Sequence, residues 1–389
     1  MHILIIPSWY PSKAGDVNGS FFREQALALQ NHGCKVGIIY PQLRSLKNWK
    51  SIFVGRRGHI NEVDEGMPTY RYHGINWFPR LPNATAWLWV KQGINIYDHY
   101  VDQYGKPDII HVHSALYGGC LAVEIFEKHK IPFVVTEHST AYARGMINAS
   151  QKQISKKVSA KAKHRIAVSL EFAKLLNEFH QQNNFKWQYL PNIVNKKFTN
   201  HKEKIKKDSN KFTFISIALL SEKKAIDNLI TAFSKIASKS ADITLKIGGD
   251  GPERAKLEQL AQDLAVSDRV FFLGSLTRDK VLEEVSNADA FVLASRYETF
   301  GVVIIEALAL GKPVVATRCG GPESIVGDGD GLLVPVDDIE SLSSAMWKLY
   351  RNPSDYNSEQ IKRSCIERFS EETIAKSLKS IYEKVLSKK

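Results

Sequence analysis

The sequence predicts two open α/β domains built on parallel sheets and joined by a polar linker, and three observations carry that expectation. Short apolar runs alternate with helical patterns along almost all of the 389 residues, as strands joined by crossover helices do. The alternation stops across HKEKIKKDSNK at residues 201–211 and then starts afresh. A chain of this length also exceeds one ordinary core, so two domains of somewhat under about 200 residues each are expected.

The elements follow in order. HILIIP, a polar loop, FFREQALALQNHG and KVGIIYP read as strand, loop, helix and strand, with Gly33 placed as a helix C-cap. PDIIHVH and IPFVVTEHS repeat the strand signal around the helical CLAVEIFEKHK, and KHRIAVS and KWQYLPN continue it. Beyond the linker come KFTFISIALL, the helical AIDNLITAFSKIA, ITLKIGG, the helical PERAKLEQLAQDLA, RVFFLG, a helix to Asn287, DAFVLAS, the helical VVIIEALALG and PVVAT. SEETIAKSLKSIYEKVLSKK closes the chain as an amphipathic helix, with Ser370 at its N-cap, glutamates in its first turn and lysines in its last. The expected division is residues 1–200, residues 201–370, and a helix over 371–389 that packs back on the first domain.

Composition narrows the class. Apolar residues at 43% and charged residues at 24% are globular values and exclude disorder, collagen and a coiled coil. The opening MHILIIPSWYP holds only a short apolar run, broken by Pro7, with no basic region before it and no small-residue cleavage site after it, so no signal peptide is read. No stretch approaches the ~20 apolar residues that span a bilayer, since Glu306 and Lys312 interrupt TFGVVIIEALALGKPVVA. The expected location is cytoplasmic, with peripheral contact on the inner face of a membrane. Asn18, Asn83 and Asn148 open glycosylation sequons that count as chance matches in such a protein. Cys34, Cys120, Cys319 and Cys365 lie far apart without a C-x-x-C pair, which reads as reduced structural thiols. A net charge of +12 favours an anionic partner: nucleic acid, an anionic membrane surface or a phosphorylated substrate.

The chemistry concentrates in SRYETFGVVIIEALALGKPVVATRCGGPESI. Glu298 falls in a loop after the strand DAFVLAS, Gly301 at the start of a helix, and Glu306 within it. A helix N-terminus at the carboxyl edge of a parallel sheet is an anion site, because its unpaired N–H groups point at the ligand. Carboxylates beside it cannot hold phosphate, but they suit sugar and ribose hydroxyls, from which they accept hydrogen bonds. The plainer alternative is a solvated loop glutamate and a helix glutamate paired with a lysine.

Glu298, seven intervening residues and Glu306, followed by E-A-x-A-x-G-x-P-V-V-A-T and Gly320-Gly321-Pro322-Glu323, resemble the E-x7-E signature of glycosyltransferase family 4, the retaining GT-B enzymes. The resemblance covers nearly the whole chain. GGDGPERAKLEQLA is similar to that family's phosphate-side strand and helix, LPNIVNKKF to its hinge-side segment, and SWYPSKAGDVNGSFFREQALALQNHGCKV to its first strand, loop and helix. It implies a GT-B fold, two Rossmann-like domains facing across a cleft, with the donor on the C-terminal domain and the acceptor mainly on the N-terminal one.

Carried over residue by residue, the resemblance gives the ribose hydroxyls to Glu306, the donor sugar to Glu298, and the diphosphate to the amides near Phe300, Gly301 and Val302. Lys224 in ALLSEKKAID matches the lysine that meets the diphosphate. The family's usual arginine, five residues earlier, is Leu219 here, so the second cation would have to come from Lys223 or Arg318; Lys223 also reads as a solvated helix-start lysine. Asn192 and Leu276 join the donor-side set. Gly19 matches the glycine that lets the first loop approach donor and acceptor, although a lone glycine in a turn is usually only a turn.

His111, His113 and His138 all fall at the ends of predicted strands, where open sheets place ligands. H-x-H with Glu137 and His138 also resembles a metal-hydrolase motif, but no later His/Asp set completes it. Thr136 to His138 is similar to the family's T-x-H segment, whose histidine faces the donor sugar, making His138 a catalytic candidate beside Glu298 and Lys224. His113 and Tyr117 are acceptor-side candidates, with a satisfied structural histidine as the alternative for His113. Asp328-Gly-Asp330 resembles the D-x-D metal mark of the other large glycosyltransferase fold, but it lies in the turn-rich GDGDG and reads as a turn; no essential metal or other cofactor is expected. GGDG at Gly248 to Gly251 is not a dinucleotide fingerprint, and Gly311-Lys312 is followed by Pro313 rather than Ser or Thr, so it is not a P-loop.

INWFPRLPNATAWLWV holds three of the seven tryptophans and KKVSAKAKHR adds a basic stretch; together they suit a membrane interface or lipid-linked acceptor, and core packing is the alternative. The expectation is a retaining, nucleotide-sugar-dependent hexosyl transferase acting on a glycan or lipid-linked acceptor, without a nucleic-acid partner. Its rivals are a GT-B sugar-nucleotide epimerase and a histidine-based metal hydrolase.

Overall fold

The computed structural model describes residues 1–11, 19–45, 57–181, 185–201 and 211–388. The expected linker core at 202–210, and Asn18 with the loop around it, lie outside the described residues. The chain forms two compact units, the first of Met1–Val168, Ala173–Leu190 and Ile374–Lys389, the second of Ser169–Phe172 and Pro191–Thr373. The second unit thus begins at Pro191 rather than near 200. The reason is local: the Val194 N–H donates to the Phe369 carbonyl at 2.9 Å, Phe198 is buried beneath the Arg278 guanidinium, and Lys197 pairs with Asp279.

The first unit holds an eight-stranded sheet, ordered β3-β4-β2-β1-β5-β6-β7-β8. Its strands are β1 His2–Pro7, β2 Lys35–Ser45, β3 Gly58–Asp64, β4 Met67–Asn76, β5 Ile109–His113, β6 Phe133–Glu137, β7 His164–Ala167 and β8 Gln188–Tyr189. All pairings are parallel except β3 with β4. β1, β5 and β6 are buried on both faces, which is why HILIIP, IIHVH and FVVTE read as near-continuous apolar runs. The β3–β4 hairpin was not anticipated. Glu65 and Gly66 connect it with φ of 49° and 85°, a two-residue turn whose twist suits a hairpin. β3 alternates half-buried and exposed residues, as an edge strand facing water should.

Strand order reverses between β1 and β5, so their carboxyl ends define the first unit's ligand edge. The helix Glu371–Leu386 belongs to this unit through Ile374–Lys389. Lys379 donates to the His32 carbonyl at 2.9 Å, and Tyr382 is fully buried with its hydroxyl 2.6 Å from His111 Nδ1. The basic stretch KKVSAKAKHR is divided: the helix Ala149–Lys161 ends inside it and β7 begins at His164, so its charges sit on different elements.

The second unit holds a six-stranded, wholly parallel sheet, ordered β11-β10-β9-β12-β13-β14. Here β9 is Phe212–Ile217, β10 Ile243–Gly248, β11 Val270–Gly274, β12 Ala290–Leu293, β13 Val314–Thr317 and β14 Gly331–Val334. The helix Ile226–Ala237 buries Ile226, Leu229, Ile230, Phe233 and Ile236 at helical spacing against this sheet. The order reverses between β9 and β12. Asp330 lies in the turn before β14, accepting from the Gly327 N–H at 3.0 Å and from Arg368 at 2.7 Å. No helix among the described residues is long and apolar enough to cross a membrane.

Candidate active site

The loops leaving β9 and β12 meet where the second unit's strand order reverses. After β9 the chain makes a short turn over Glu222–Lys224, closed by the Lys224 N–H donating to Ser221 at 2.8 Å. Ala225 follows with φ 47°, a left-handed conformation that costs a non-glycine residue on the order of 1–3 kcal/mol. The turn presents Lys224, whose ammonium pairs with the Glu298 carboxylate from the β12 loop. Ser295 donates to the same oxygen at 3.1 Å. Both side chains are largely buried, at 17% and 12% exposed. Removing one charge from such a pair leaves the other uncompensated, at a cost of about 3–5 kcal/mol when burial is complete.

Arg296, which the sequence reading did not single out, ties the two loops together. Its N–H donates to the Lys223 carbonyl at 2.8 Å, and its guanidinium reaches Asp337 at 2.7 Å and Asp227 at 3.4 Å. The Glu298 N–H donates to Cys319 in the β13 loop at 3.2 Å. Glycine is required where these loops touch: a Cβ on Gly321 would stand 2.1 Å from the Phe300 carbonyl oxygen, and one on Gly249 would stand 1.8 Å from that of Ala218.

The helix Val302–Ala309 starts beside Glu298 from Gly301, whose φ is 107°. Phe300 is 2% exposed with its ring toward Phe369, so only its backbone is available to a ligand. Glu306 points inward, 1% exposed, and pairs with Arg278 at the start of the helix Arg278–Asn287. The expected lysine partner of a bland helix glutamate is therefore an arginine from another element. Leu276 covers the end of β10, where a Cβ on Gly248 would meet its Cδ1 at 2.7 Å. Asn192 is buried in the segment between β8 and β9. Leu219, at the position that the resemblance gives to an arginine, is 62% exposed, while Lys223 is half-buried and Arg318 exposed.

The first unit's edge is built differently. His113, at the end of β5, is fully buried, its Nδ1 3.1 Å from His138 Nε2. Phe22 packs on both rings, at centroid distances of 4.6 and 4.9 Å. The His113 imidazole is thus engaged with that of His138. His111 sits between Thr136 Oγ1, at 2.7 Å, and Tyr382. Burial pushes His111 and His138 down to about 3 and His113 well below its ordinary value, so all three imidazoles are neutral. Glu137 accepts N–H groups from Ala115, His138 and Ser139 at 2.9, 2.9 and 3.0 Å, which clamps the β6 loop to the β5 loop; burial raises its carboxyl. Ser114, directly after His113, has φ 69°.

Gly19 begins the helix Ser20–Asn31 with φ 71°, and a Cβ there would approach Trp9 Cδ1 to 3.1 Å. Tyr117 is half-buried on the segment after β5. Among the described residues no three His, Cys, Asp or Glu side chains converge as a metal ion requires, so the H-x-H motif finds no third ligand there.

This geometry can be set beside known proteins. Residues 197–367 match the family Glycosyl transferases group 1, and residues 19–198 match Glycosyltransferase Family 4. The N-acetyl-alpha-D-glucosaminyl L-malate synthase of Bacillus anthracis is 29% identical over 300 residues, 74% of this chain and 77% of that protein. A putative teichuronic acid biosynthesis glycosyltransferase of Bacillus subtilis is 27% identical over 376 residues, 89% of this chain and 88% of that protein. Among solved structures, sucrose-phosphate synthase from Thermosynechococcus elongatus superposes with a TM-score of 0.79 at 19% identity, covering 100% of both chains. Anabaena HepE in complex with UDP gives 0.74 at 17% identity, covering 99% of this chain and 100% of that one. These likenesses establish the GT-B fold.

Proposed function

We propose that this chain, which belongs to the group 1 glycosyltransferases of family 4, is a retaining enzyme that moves a hexosyl-type sugar from a nucleotide diphosphate sugar to a glycan or lipid-linked acceptor. Surface polysaccharide or glycolipid assembly is the setting, in keeping with the relative named for teichuronic acid biosynthesis. The observation that carries this reading is the Lys224–Glu298 pair, held at the strand-order reversal beside the helix that opens at Gly301. Donor binding is assigned to the second unit and acceptor binding mainly to the first.

In this reading the amides at Phe300, Gly301 and Val302 and the Lys224 ammonium receive the diphosphate. Negative charge grows on it as its bond to the anomeric carbon breaks, and fixed donors aimed there stabilise the transition state more than the ground state. The acceptor oxygen bonds to the anomeric carbon on the same face, and its proton leaves with the diphosphate. Glu298 orients the donor sugar, Glu306 accepts from the ribose hydroxyls, and neutral His138 offers an uncharged partner to a sugar hydroxyl. Asn192, Leu276 and Gly19 shape the donor's surroundings, Tyr117 stands on the acceptor side, and no metal takes part.

A thermal-shift panel of nucleoside diphosphates and their sugars tests the reading, since a ligand at 100 times its Kd stabilises by about 2.7 kcal/mol. Incubating a stabilising nucleotide sugar alone, and then with glycan acceptors, separates transfer from epimerisation by product. A new nucleotide sugar formed without acceptor would overturn it, as would stabilisation by none of the panel.

The same chain is assigned to an anionic membrane surface rather than to nucleic acid. Trp77, Leu81 and Trp87 are 60%, 60% and 58% exposed, with Arg80 exposed beside them and the Lys91 ammonium over the Trp87 ring at 5.2 Å. Trp89 of the same segment is core. Sedimentation with anionic vesicles should show weak binding that fades as salt shortens the screening length toward about 8 Å. No binding at low salt would retire this part.

A further inference from the structure

The first unit has a second concave feature, at the edge of its sheet opposite the histidines. It is a cleft of about 570 Å³ at the amino ends of β6, β7 and β8, closed on one side by the C-terminal helix, and it falls within the usual size of a small-molecule site. Four lysines line it: Lys130 after the helix Cys120–His129, Lys163 just before β7, and Lys384 and Lys388 at the end of the chain. No aspartate or glutamate lines it, and among the described residues none of these lysines forms an ion pair. Glu127, on the adjoining helix, pairs with Lys161 at 3.6 Å.

The bland account is that lysines gather at helix C-termini, and Lys130, Lys384 and Lys388 fit it. Magnitudes argue that more is present. The two helix ends contribute about half a negative charge each, which four ammonium groups exceed by roughly three charges. Lys163 belongs to neither helix end, and its ammonium lies over the Phe126 ring at 5.3 Å. His164 lines the same cleft, and its Nε2 is buried without a hydrogen-bond partner among the described residues. Apolar side chains of Phe126, Pro132, Ile381 and Val385, with Gln188, complete the wall. A concavity lined by one sign of charge, with low-dielectric walls, concentrates counter-ions.

We propose that this cleft is a binding site for a phosphorylated anion, a group with two or more negative charges beside an apolar portion, held at a place separate from the transfer chemistry. The charge could be that of a free phosphorylated compound or of a phospholipid headgroup; the chemistry recognised is the same.

The test follows the His164 imidazole by NMR in histidine-labelled full-length protein, its signal assigned through His164→Gln. Inorganic pyrophosphate is titrated in one arm, and phosphatidylglycerol vesicles against phosphatidylcholine vesicles in the other. Because His164 lies at the opposite sheet edge from His138, pyrophosphate bound elsewhere does not move it directly. Movement with pyrophosphate supports a free phosphorylated ligand, and movement only with phosphatidylglycerol supports a headgroup. The triple variant Lys163→Gln/Lys384→Gln/Lys388→Gln, which changes exposed side chains only, should weaken the response by roughly tenfold or more. The proposal fails if His164 responds to neither probe, responds equally to sodium chloride at matched ionic strength, or responds alike in the triple variant. Any of these failures leaves the transferase reading standing, since none involves its residues.

Discussion

Eleven of the twelve histidines belong to the first unit, His201 being the exception, and the two sheet edges differ accordingly. The first presents neutral imidazoles bonded to one another, to a threonine and to a tyrosine. The second presents charged pairs, Lys224 with Glu298, Arg278 with Glu306, and Arg296 with Asp227 and Asp337. Both fold the same strand-loop-helix unit, and both set a non-glycine residue with positive φ directly after a site residue, Ser114 after His113 and Ala225 after Lys224. The lesson is that a shared backbone plan leaves the chemistry to side chains: fixed charge suits a diphosphate, and neutral hydrogen-bonding groups suit a polyol.

The contrast breaks most sharply at Lys224. If its ammonium meets the charge growing on the departing diphosphate, Lys224→Ala should lower kcat by about a hundredfold or more, the scale of removing one preorganised transition-state donor, with a smaller effect on KM. Lys223→Ala should do far less, because that residue joins the loops through its backbone carbonyl. Steady-state kinetics on both variants, with melting curves to confirm folding, decide it. Equal small losses would move the clamp elsewhere, Arg318 being next to try.

Glu306→Gln comes second. If the Glu306 carboxyl accepts from the ribose hydroxyls, as proposed, losing it should weaken nucleoside diphosphate binding by about 1.5–3 kcal/mol, read by calorimetry. Unchanged affinity in a folded variant would show that Glu306 serves only Arg278.

How much of this could be read from the residues alone depended on distance along the chain. The buried parallel strands announce themselves as apolar runs, and Glu298, Gly301 and Glu306 lie within one local motif, so fold and motif were both legible. The β3–β4 hairpin was not, because HINEVD is an edge strand with charged residues and its Glu65-Gly66 turn lacks the usual Asn-Gly signal. Arg278 and Arg296 escaped notice because their partners lie 28, 41 and 69 residues away, and the Tyr382–His111 contact spans 271. Nothing in H-x-H announces that His113 is buried and bonded to His138, because the partner lies 25 residues away.

The neutral edge also makes a pH prediction. Burial holds His111 and His138 near 3, against an ordinary 6.5. The unfolded chain takes up protons near pH 6.5 that the folded chain refuses until about 3, so the stability these histidines contribute is complete above 6.5 and is lost as pH falls through that window. Glu137, its carboxyl raised by burial, acts in the opposite direction, so a single-site comparison is needed. His111→Gln should flatten the acid slope of unfolding free energy by up to about 1.4 kcal/mol per pH unit, measured by denaturant melts between pH 7 and 4. An unchanged slope would mean that the imidazole already exchanges protons with solvent.

The smallest expected effect sharpens the charged edge. Leu219 stands exposed at the position that the family resemblance gives to a guanidinium, so Leu219→Arg removes an apolar side chain from water and adds a third cation to the β9 loop that already carries Lys223 and Lys224. Because the new charge is solvent-screened and its long side chain loses freedom when it binds, its gain should be that of an exposed pair, about 0.2–1 kcal/mol, or up to roughly fivefold in nucleoside diphosphate affinity. The gain should shrink with added salt, which a buried contact would resist. Calorimetry at two ionic strengths is sufficient. A salt-insensitive gain well above tenfold would show that the site lacks a cation it needs, and that Lys224 alone does not define the clamp. A loss would mean that Leu219 contacts the donor through its apolar surface, making this edge less purely ionic than its charged pairs suggest.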